Sequence, residues 1–435
     1  MRCRWMEFGV MLALAAAAPA LSTPVPGETA AMVAVDETGA VRINGEAFFP
    51  IGLYQVPYWD MADVKAHGFN IVDEIQPVAS YLDRTFLDTA RQNELWVRVA
   101  LYSGFTWWNG TWEPTMREQL DYAFLKDYPG DHISPKHHPA LAMWYLEDEP
   151  NHSLPPVQPY HDNMVAAHEY IHSASVDPNH VDMACLYDPD FQNADSLSRM
   201  SFFGNWCFPD VVAVDCYPLN NPPGPNPFDA PLTALAKWLD DLCKAASLEG
   251  AHPSVQMVLE TFQFSSWRMP TPEQLRLMVY LSIIHGAKGI WYFCYGESNH
   301  AGQHFGPGPG LHDFPSIWAY VGRLNRELAD LGDVFLSPAV LQGAAPVTTG
   351  PALPDRYGYL PIHYTLRQHD GFCYLISANG SEKQPCTATF PIPSAQGGQA
   401  VEVLFENRTL LAAGGVLTDQ YSPMAVHVYR WPAAS

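Results

Sequence analysis

The sequence predicts an α/β fold: a (β/α)8 TIM barrel followed by a smaller all-β, sandwich-like domain. Three observations carry this. Eight short apolar runs alternate with helical stretches between residues 47 and 330, as in a parallel sheet that closes on itself. The loops after the third, sixth and eighth runs are long and rich in Trp, Pro, Asn and Gly, on the side where a barrel builds its site. From about residue 336 the pattern changes to period two with turn residues between the runs.

In chain order, Arg2 and Arg4 precede a short apolar stretch, Gly9 to Ala18, and Ala18-Pro19-Ala20 offers small residues to a signal peptidase. Residues 1–20 therefore read as a signal peptide, with a secreted or periplasmic product and no membrane partner after its removal. Residues 31–45 read as a hairpin turning at Thr38-Gly39. The expected barrel strands are Ala47–Tyr54, Phe69–Ile75, Leu95–Leu101, Ala140–Leu146, Val181–Leu186, Val211–Tyr217, Val255–Leu259 and Gly289–Tyr295. Between them lie helical stretches such as Tyr58–His67, Tyr81–Asn93, Tyr160–Ser173, Leu232–Ala246 and Pro272–His285, and Ile317–Asp330 closes the region. The barrel with its hairpin spans 31–335 and the β-sandwich 336–435. The latter has runs at Ile362–Leu366, Phe372–Ala378, Cys386–Pro391, Ala400–Phe405 and Ala425–Tyr429.

Composition narrows the partners. Hydrophobic residues make up 48% of the 435, enough for a large core. A formal charge of −23 argues against nucleic acid and anionic membrane, whose phosphates need Lys and Arg. Of eight cysteines, Cys3 would leave with the signal and an odd number would remain. Cys185, Cys216 and Cys294 sit in apolar runs and read as small core residues. If Asn379-Gly380 is a two-residue hairpin turn, Cys373 and Cys386 face each other and form a disulfide.

Two runs end in carboxylates. The fourth is Ala142-Met143-Trp144-Tyr145-Leu146-Glu147-Asp148-Glu149-Pro150; the seventh is Gln256-Met257-Val258-Leu259-Glu260-Thr261-Phe262. Acids at the C-terminal ends of barrel strands four and seven would point into one pocket, and such a pair is what glycosidic bond cleavage needs. Crowding of Glu147, Asp148 and Glu149 raises the proton affinity of one of them. Arg98 in strand three is a candidate inward cation, and Tyr217 at the end of strand six a candidate hydroxyl donor.

On Asp148-Glu149-Pro150, Glu260, Tyr217 and Trp291, the chain resembles clan A glycoside hydrolases, (β/α)8 enzymes with catalytic Glu residues on strands four and seven. The segments Asn44–Gly52 and Tyr421–Tyr429 are similar to the first barrel strand and to the last strand of the appended β-domain in such enzymes. The resemblance implies Glu149 as acid/base and Glu260 as nucleophile, with retention of configuration. It also implies a Tyr217 hydrogen bond to the nucleophile and Trp291 as the floor of the central sugar subsite. The family usually has Asn before the acid/base; here Asp148 can accept from a sugar hydroxyl but cannot donate.

Loop aromatics, Trp107 and Trp108 with Tyr58, Trp59, Trp112 and Trp267, are candidates for stacking on sugar. Glu74 and Glu297 also end strand-like runs and are alternative second carboxylates, in that case of an inverting enzyme. A non-catalytic carbohydrate-binding protein on a decayed barrel is the rival class, and Asp148 is its support. His137-His138 and His300, His304 and His312 match no zinc motif, and no phosphate loop or serine nucleophile elbow occurs, so no metal or cofactor is expected. Asn109, Asn151, Asn379 and Asn407 fit the glycosylation sequon. The expected partner is a neutral oligo- or polysaccharide.

Overall fold

The structure, a computed structural model, describes residues 30–73, 84–101, 117, 120–121, 134–149, 158–187, 209–219, 231–248, 252–265, 267–296, 308–340, 345–350, 354–392 and 397–433. The signal segment, Glu74, Trp107, Trp108, Trp112, Glu297 and the sequons at Asn109 and Asn151 lie outside them.

The chain opens with an antiparallel three-stranded sheet, β1 (Val33–Val35), β2 (Val41–Ile43) and β3 (Glu46–Phe48). The expected hairpin therefore gains a third strand. It takes this from the run expected as the first barrel strand, which breaks at Pro50, where the backbone has no N–H to donate. Ala31, Val33, Val41 and Ile43 pack with inward residues of the barrel, and the Val33 amide donates to the Asn179 carbonyl at 2.7 Å. This sheet plugs the end of the barrel where the strands begin.

The barrel is closed and wholly parallel. Its strands run β4 (Ile51–Leu53), β5 (Ile71–Asp73), β6 (Trp96–Ala100), β7 (Leu141–Asp148), β8 (Val181–Tyr187), β9 (Val211–Cys216), β10 (Ser254–Glu260) and β11 (Ile290–Phe293), with β11 pairing back onto β4. Successive residues alternate between two burial environments, as the pleat requires. Leu259, Met257, Val214, Val212, Leu146 and Trp144 pack outward in the larger core, against the helices. Val258, Ala213, Met183, Tyr145 and Trp291 fill the interior. A Cβ on Gly52 would stand 2.1 Å from the Trp291 ring, so only glycine lets β4 pass that indole.

The helix Pro272–Ile284 illustrates how the local sequence sets an element. Thr271 accepts from the Gln274 amide at 3.3 Å, Gln274 Oε1 accepts from the Thr271 amide at 3.1 Å, and Pro272 opens the first turn. This reciprocal cap contributes about 1 kcal/mol. Gln274 Oε1 also accepts from Arg268 at 2.8 Å, which fixes that cation beside the end of β10.

The C-terminal strands form two antiparallel sheets. One is β12 (Val347–Thr349), β15 (Cys386–Pro391) and β18 (Val416–Tyr421); the other is β13 (Ile362–His369), β14 (Phe372–Asn379), β19 (Val426–Pro432), β16 (Gln399–Val403) and β17 (Arg408–Ala412). The five-stranded sheet is the middle layer of a stack. Tyr374, Ile376 and Ala378 of β14 join the barrel core, while Leu375 joins the sandwich core with Tyr429 and Phe390. Both faces being covered, β14 shows little of the alternation that a half-exposed strand would.

Two expectations fail here. Cys373 and Cys386 are both free thiols. Their strands belong to different sheets: Cys373 pairs with Gln368 and Trp431, Cys386 with Tyr421. Asn379-Gly380 starts a crossover between sheets, not a hairpin. Nor can Asn379 carry a glycan. It is fully buried, and its amide donates to the carbonyls of Gln384 at 2.8 Å and Ser422 at 3.0 Å.

A polar chain, exposed at Asp240 and buried at His363, links the two domains. Asp240 accepts from the Tyr359 hydroxyl at 2.6 Å and meets His285 Nδ1 at 2.8 Å; His285 Nε2 meets His363 Nδ1 at 2.8 Å. Burial, with help from His285, pulls His363 down to about 3, so the folded protein keeps it neutral where the unfolded chain, near 6.5, protonates it. Stability from this group is present above pH 6.5 and is lost as pH falls toward 3. Between pH 6.5 and 5 it should cost about 2 kcal/mol. Urea unfolding of wild type and His363→Gln across that range checks this: the variant's stability should depend less on pH, and parallel pH dependences would contradict it.

Candidate active site

The floor of the site is built around Arg98. Its inward position on β6 puts a guanidinium inside the barrel, fully buried. There it pairs with Asp73 of β5, donates to the Tyr54 hydroxyl at 3.1 Å, and lies 3.3 Å from the Met183 sulfur. Three rings surround it, with its central carbon 4.1 Å from the centroid of Tyr54, 3.9 Å from Tyr145 and 4.0 Å from Trp291. Burial works against the charge, but Tyr54 and Asp73 overcome it and hold the guanidinium protonated.

This corrects two expectations. Arg98 points inward but is sealed beneath the cavity and offers nothing to a substrate. Trp291 is also fully buried; its indole packs on Arg98 and over Gly52, and its Nε1 donates to Gln256 at 2.6 Å. It belongs to the barrel core, one level too deep to floor a sugar subsite.

Above this floor stand the acids. Asp148 ends β7 and is solvent-exposed at its tip. Burial raises its pKa, and the Tyr145 hydroxyl, from which it accepts, and Arg98 oppose that rise only in part. A bulge in β7 between Tyr145 and Glu147 shifts the register, so Asp148 rather than Glu147 follows the inward set. Glu147 is buried, with Oε1 accepting from the Asp148 amide at 3.0 Å. Glu149 is half-buried; its amide donates to the Cys185 carbonyl at 2.8 Å, and its φ of 47° is a left-handed conformation that few side chains adopt.

Glu149 meets a carboxylate that the sequence reading missed, Asp215 of β9. The Glu149 carboxyl stands close enough to act on it as a like charge and a hydrogen-bond partner, and Tyr217 acts on it in the opposite sense. Burial pushes the Asp215 carboxyl well above its ordinary range, and the charges of Glu149 and Asp148 push it further, with Tyr217 opposing. Two carboxyl groups this close retain a proton that an isolated one would lose.

Glu260 ends β10, with Leu259 beside Cys216 of β9 and Glu260 beside Phe293 of β11. It therefore stands on the same rim, level with Tyr217. It is fully buried, and its Oε2 accepts from the Leu219 amide at 2.8 Å. Burial raises its proton affinity strongly; the Leu219 amide and the Arg268 charge favour the ionised form. Tyr217 acts on Asp215, and Glu260 Oε1 takes no hydrogen bond among the described residues, where the resemblance implies one from Tyr217. The structure thus groups Glu149, Asp148, Asp215 and Tyr217 directly, and sets Glu260 on the far side of β9.

Aromatic side chains line this end. Tyr217 stacks on Phe293 at 6.0 Å, Phe262 meets both rings edge-on, and the half-buried Trp267 donates to the Tyr217 carbonyl at 3.2 Å. Tyr58, Trp59 and Phe264 are 42%, 48% and 48% exposed, in loops that follow the C-terminal ends of β4 and β10. These exposures decide which rings are open to a ligand: the loop aromatics are, and Trp291 is not.

Comparison with solved structures finds the same architecture. One is a glycoside hydrolase family 5 protein from Bacteroides vulgatus, with TM-score 0.56, 12% identity, and 92% of this chain and 93% of that one covered. Another is an Anoxybacillus α-amylase, with TM-score 0.52, 10% identity, and 87% and 90% covered. These likenesses are of fold, and at that level the resemblance to TIM-barrel glycosidases holds. No family model matches the chain. No curated protein matches it.

The Arg98 cage carries a direct expectation. Arg98→Met removes one partner of a buried ion pair and should cost about 3–5 kcal/mol. Arg98→Lys keeps the charge but loses the planar fork and ring stacking, and should lie between. Urea midpoints measure both; a loss below about 1 kcal/mol for Arg98→Met would rule out the cage as a structural centre.

Proposed function

We propose that the protein is a secreted retaining glycoside hydrolase acting on a neutral oligo- or polysaccharide. One observation carries the reading: a close carboxyl pair, the half-buried Glu149 and the buried Asp215, stands at the C-terminal end of the barrel, with Glu260 ending the strand next to β9. A proton held between two acids is the reservoir a general acid needs. In this reading Glu149 protonates the leaving oxygen while the ionised Glu260 attacks the anomeric carbon. The glycosyl-enzyme is then hydrolysed by a water that Glu149, now a base, deprotonates. The Leu219 amide and Arg268 are the groups that favour the ionised Glu260. Asp148 would accept from a sugar hydroxyl, and Tyr58, Trp59 and Phe264, with Trp107 and Trp108, would stack on flanking sugars. The family 5 likeness supports the class of reaction. Secretion rests on the basic and apolar N-terminal segment.

A second reading has its own support. Glu260 is sealed and pushed toward its neutral form, which suits a structural acid in a carbohydrate-binding protein without catalysis. Screening against a polysaccharide array separates the two: binding with no released sugar would favour the second.

Two outcomes are expected. Glu260→Ala should lower kcat by at least ~10⁴-fold, and azide should restore turnover with a product of inverted anomeric configuration. Normal activity in Glu260→Ala would refute the assignment. Asp215→Asn breaks the pair and leaves Glu149 to titrate without a second carboxyl to share its proton. It should move the basic limb of the pH–rate profile down by about one unit. An unmoved limb would mean that the pair is not the acid.

A further inference from the structure

On the opposite side of the barrel from the acids, where the strands begin, two histidines and two aspartates meet. His168 lies in the helix Gln158–Ile171, and His172 follows one turn later, just past its end. Asp182 is the second residue of β8, and Asp210 immediately precedes β9. His168 Nδ1 lies 3.0 Å from Asp182 Oδ2, and His172 Nε2 lies 3.7 Å from Asp182 Oδ1 and 3.1 Å from Asp210 Oδ2. A donor atom from each of His168, His172 and Asp182 falls within 4.8 Å of the others.

We propose that His168, His172 and Asp182, with Asp210 beside them, form a structural site for a divalent transition metal, zinc by ligand type. Two imidazoles and a carboxylate within reach of one another are zinc ligands by type, and a second carboxylate stands beside His172. Bonds of 2.0–2.1 Å in a tetrahedron put neighbouring donors about 3.3 Å apart. The donors of His168, His172 and Asp182 lie within 4.8 Å of one another, so they would close inward around a cation.

His172 supplies a separate observation. Its Nε2 is closed to solvent and makes no directed hydrogen bond among the described residues, although two carboxylates stand next to it. A proton on that nitrogen would point between the two acceptors; a cation there would face both. The acids are already oriented. The Asp210 amide donates to Asp182 Oδ1 at 2.9 Å, and the Asp182 amide to Asp210 Oδ2 at 3.2 Å. Such outer partners hold carboxylate ligands in place. Access exists, because the two imidazoles and Asp210 are each about a quarter exposed while Asp182 is fully buried beneath them.

The site lies away from the reacting end, and its effect is mechanical. A bound metal would tie the helix Gln158–Ile171, which follows the acid-bearing β7, to the starts of β8 and β9. Binding expels the imidazolium protons, so affinity rises with pH until both histidines are neutral.

The test uses the full-length protein freed of metal with a chelator and titrated calorimetrically with zinc, with magnesium as the comparison. The expected result is one zinc per chain, no comparable magnesium binding, and a melting temperature raised by roughly 2–5 °C. His168→Gln with His172→Gln should weaken zinc at least ~100-fold. Should that variant not fold, cobalt added to wild type gives the decision: visible bands of four-coordinate cobalt with nitrogen and oxygen ligands, displaced by one equivalent of zinc. No saturable one-to-one binding, zinc affinity retained in the double variant, or six-coordinate cobalt would each overturn the proposal.

Discussion

A single buried guanidinium organises the middle of this barrel. Arg98 sits where strand parity forces a side chain inward, and a bare charge there would be untenable. Asp73 neutralises it, Tyr54 accepts from it, and three ring faces enclose it. Each partner is then fixed in turn. Tyr145, held against the guanidinium, directs its hydroxyl to Asp148; Trp291 is pinned by Gln256 and passes β4 only because residue 52 is glycine. The cage is both the plug of the barrel and the rigid floor from which the acids rise.

The acids above it repel one another. Asp148, Glu149 and Asp215 crowd one rim, and the chain as a whole carries −23. Low dielectric strengthens that repulsion, so protons are retained where isolated carboxyls would lose them. The Glu149–Asp215 contact is the direct expression. Glu260 is set apart from it, with a backbone amide from Leu219 and the capped-helix cation Arg268 as its own supports. The environments on the two sides of β9 therefore differ, which is the condition for two acids of one site to take different roles.

Much of the architecture could be read from the chain because parallel strands buried on both faces are short and continuously apolar. The eight runs, their order and the switch to an antiparallel domain follow from that. The first run misled because an unbroken apolar pattern, Ala47–Tyr54, hides the break at Pro50. The disulfide failed because register within a strand says nothing about which sheet the strand joins; Phe372–Asn379 and Cys386–Pro391 pair into different sheets that face each other. Trp291 failed for depth: two strand residues of like parity point the same way, yet one opens to the cavity and the other is core. Asp215 was legible, as an acid inside Val211-Val212-Ala213-Val214-Asp215-Cys216 on the same parity as Tyr217, though an acid within a run lacks the end position that marks Glu149 and Glu260. The His168, His172, Asp182 and Asp210 cluster could not be read, since only folding brings a helix end to two strand starts.

The central claim is that Glu149 and Glu260 act on opposite sides of one sugar ring. Incubation with activated 2-deoxy-2-fluoroglycosides, followed by peptide mass mapping, tests it most directly, because the fluorine slows breakdown of a glycosyl-enzyme and leaves the nucleophile labelled. The account predicts one sugar per chain, on the peptide that carries Glu260. A label on Asp215, Asp148 or Glu149 instead, from a sugar the protein hydrolyses, would contradict it.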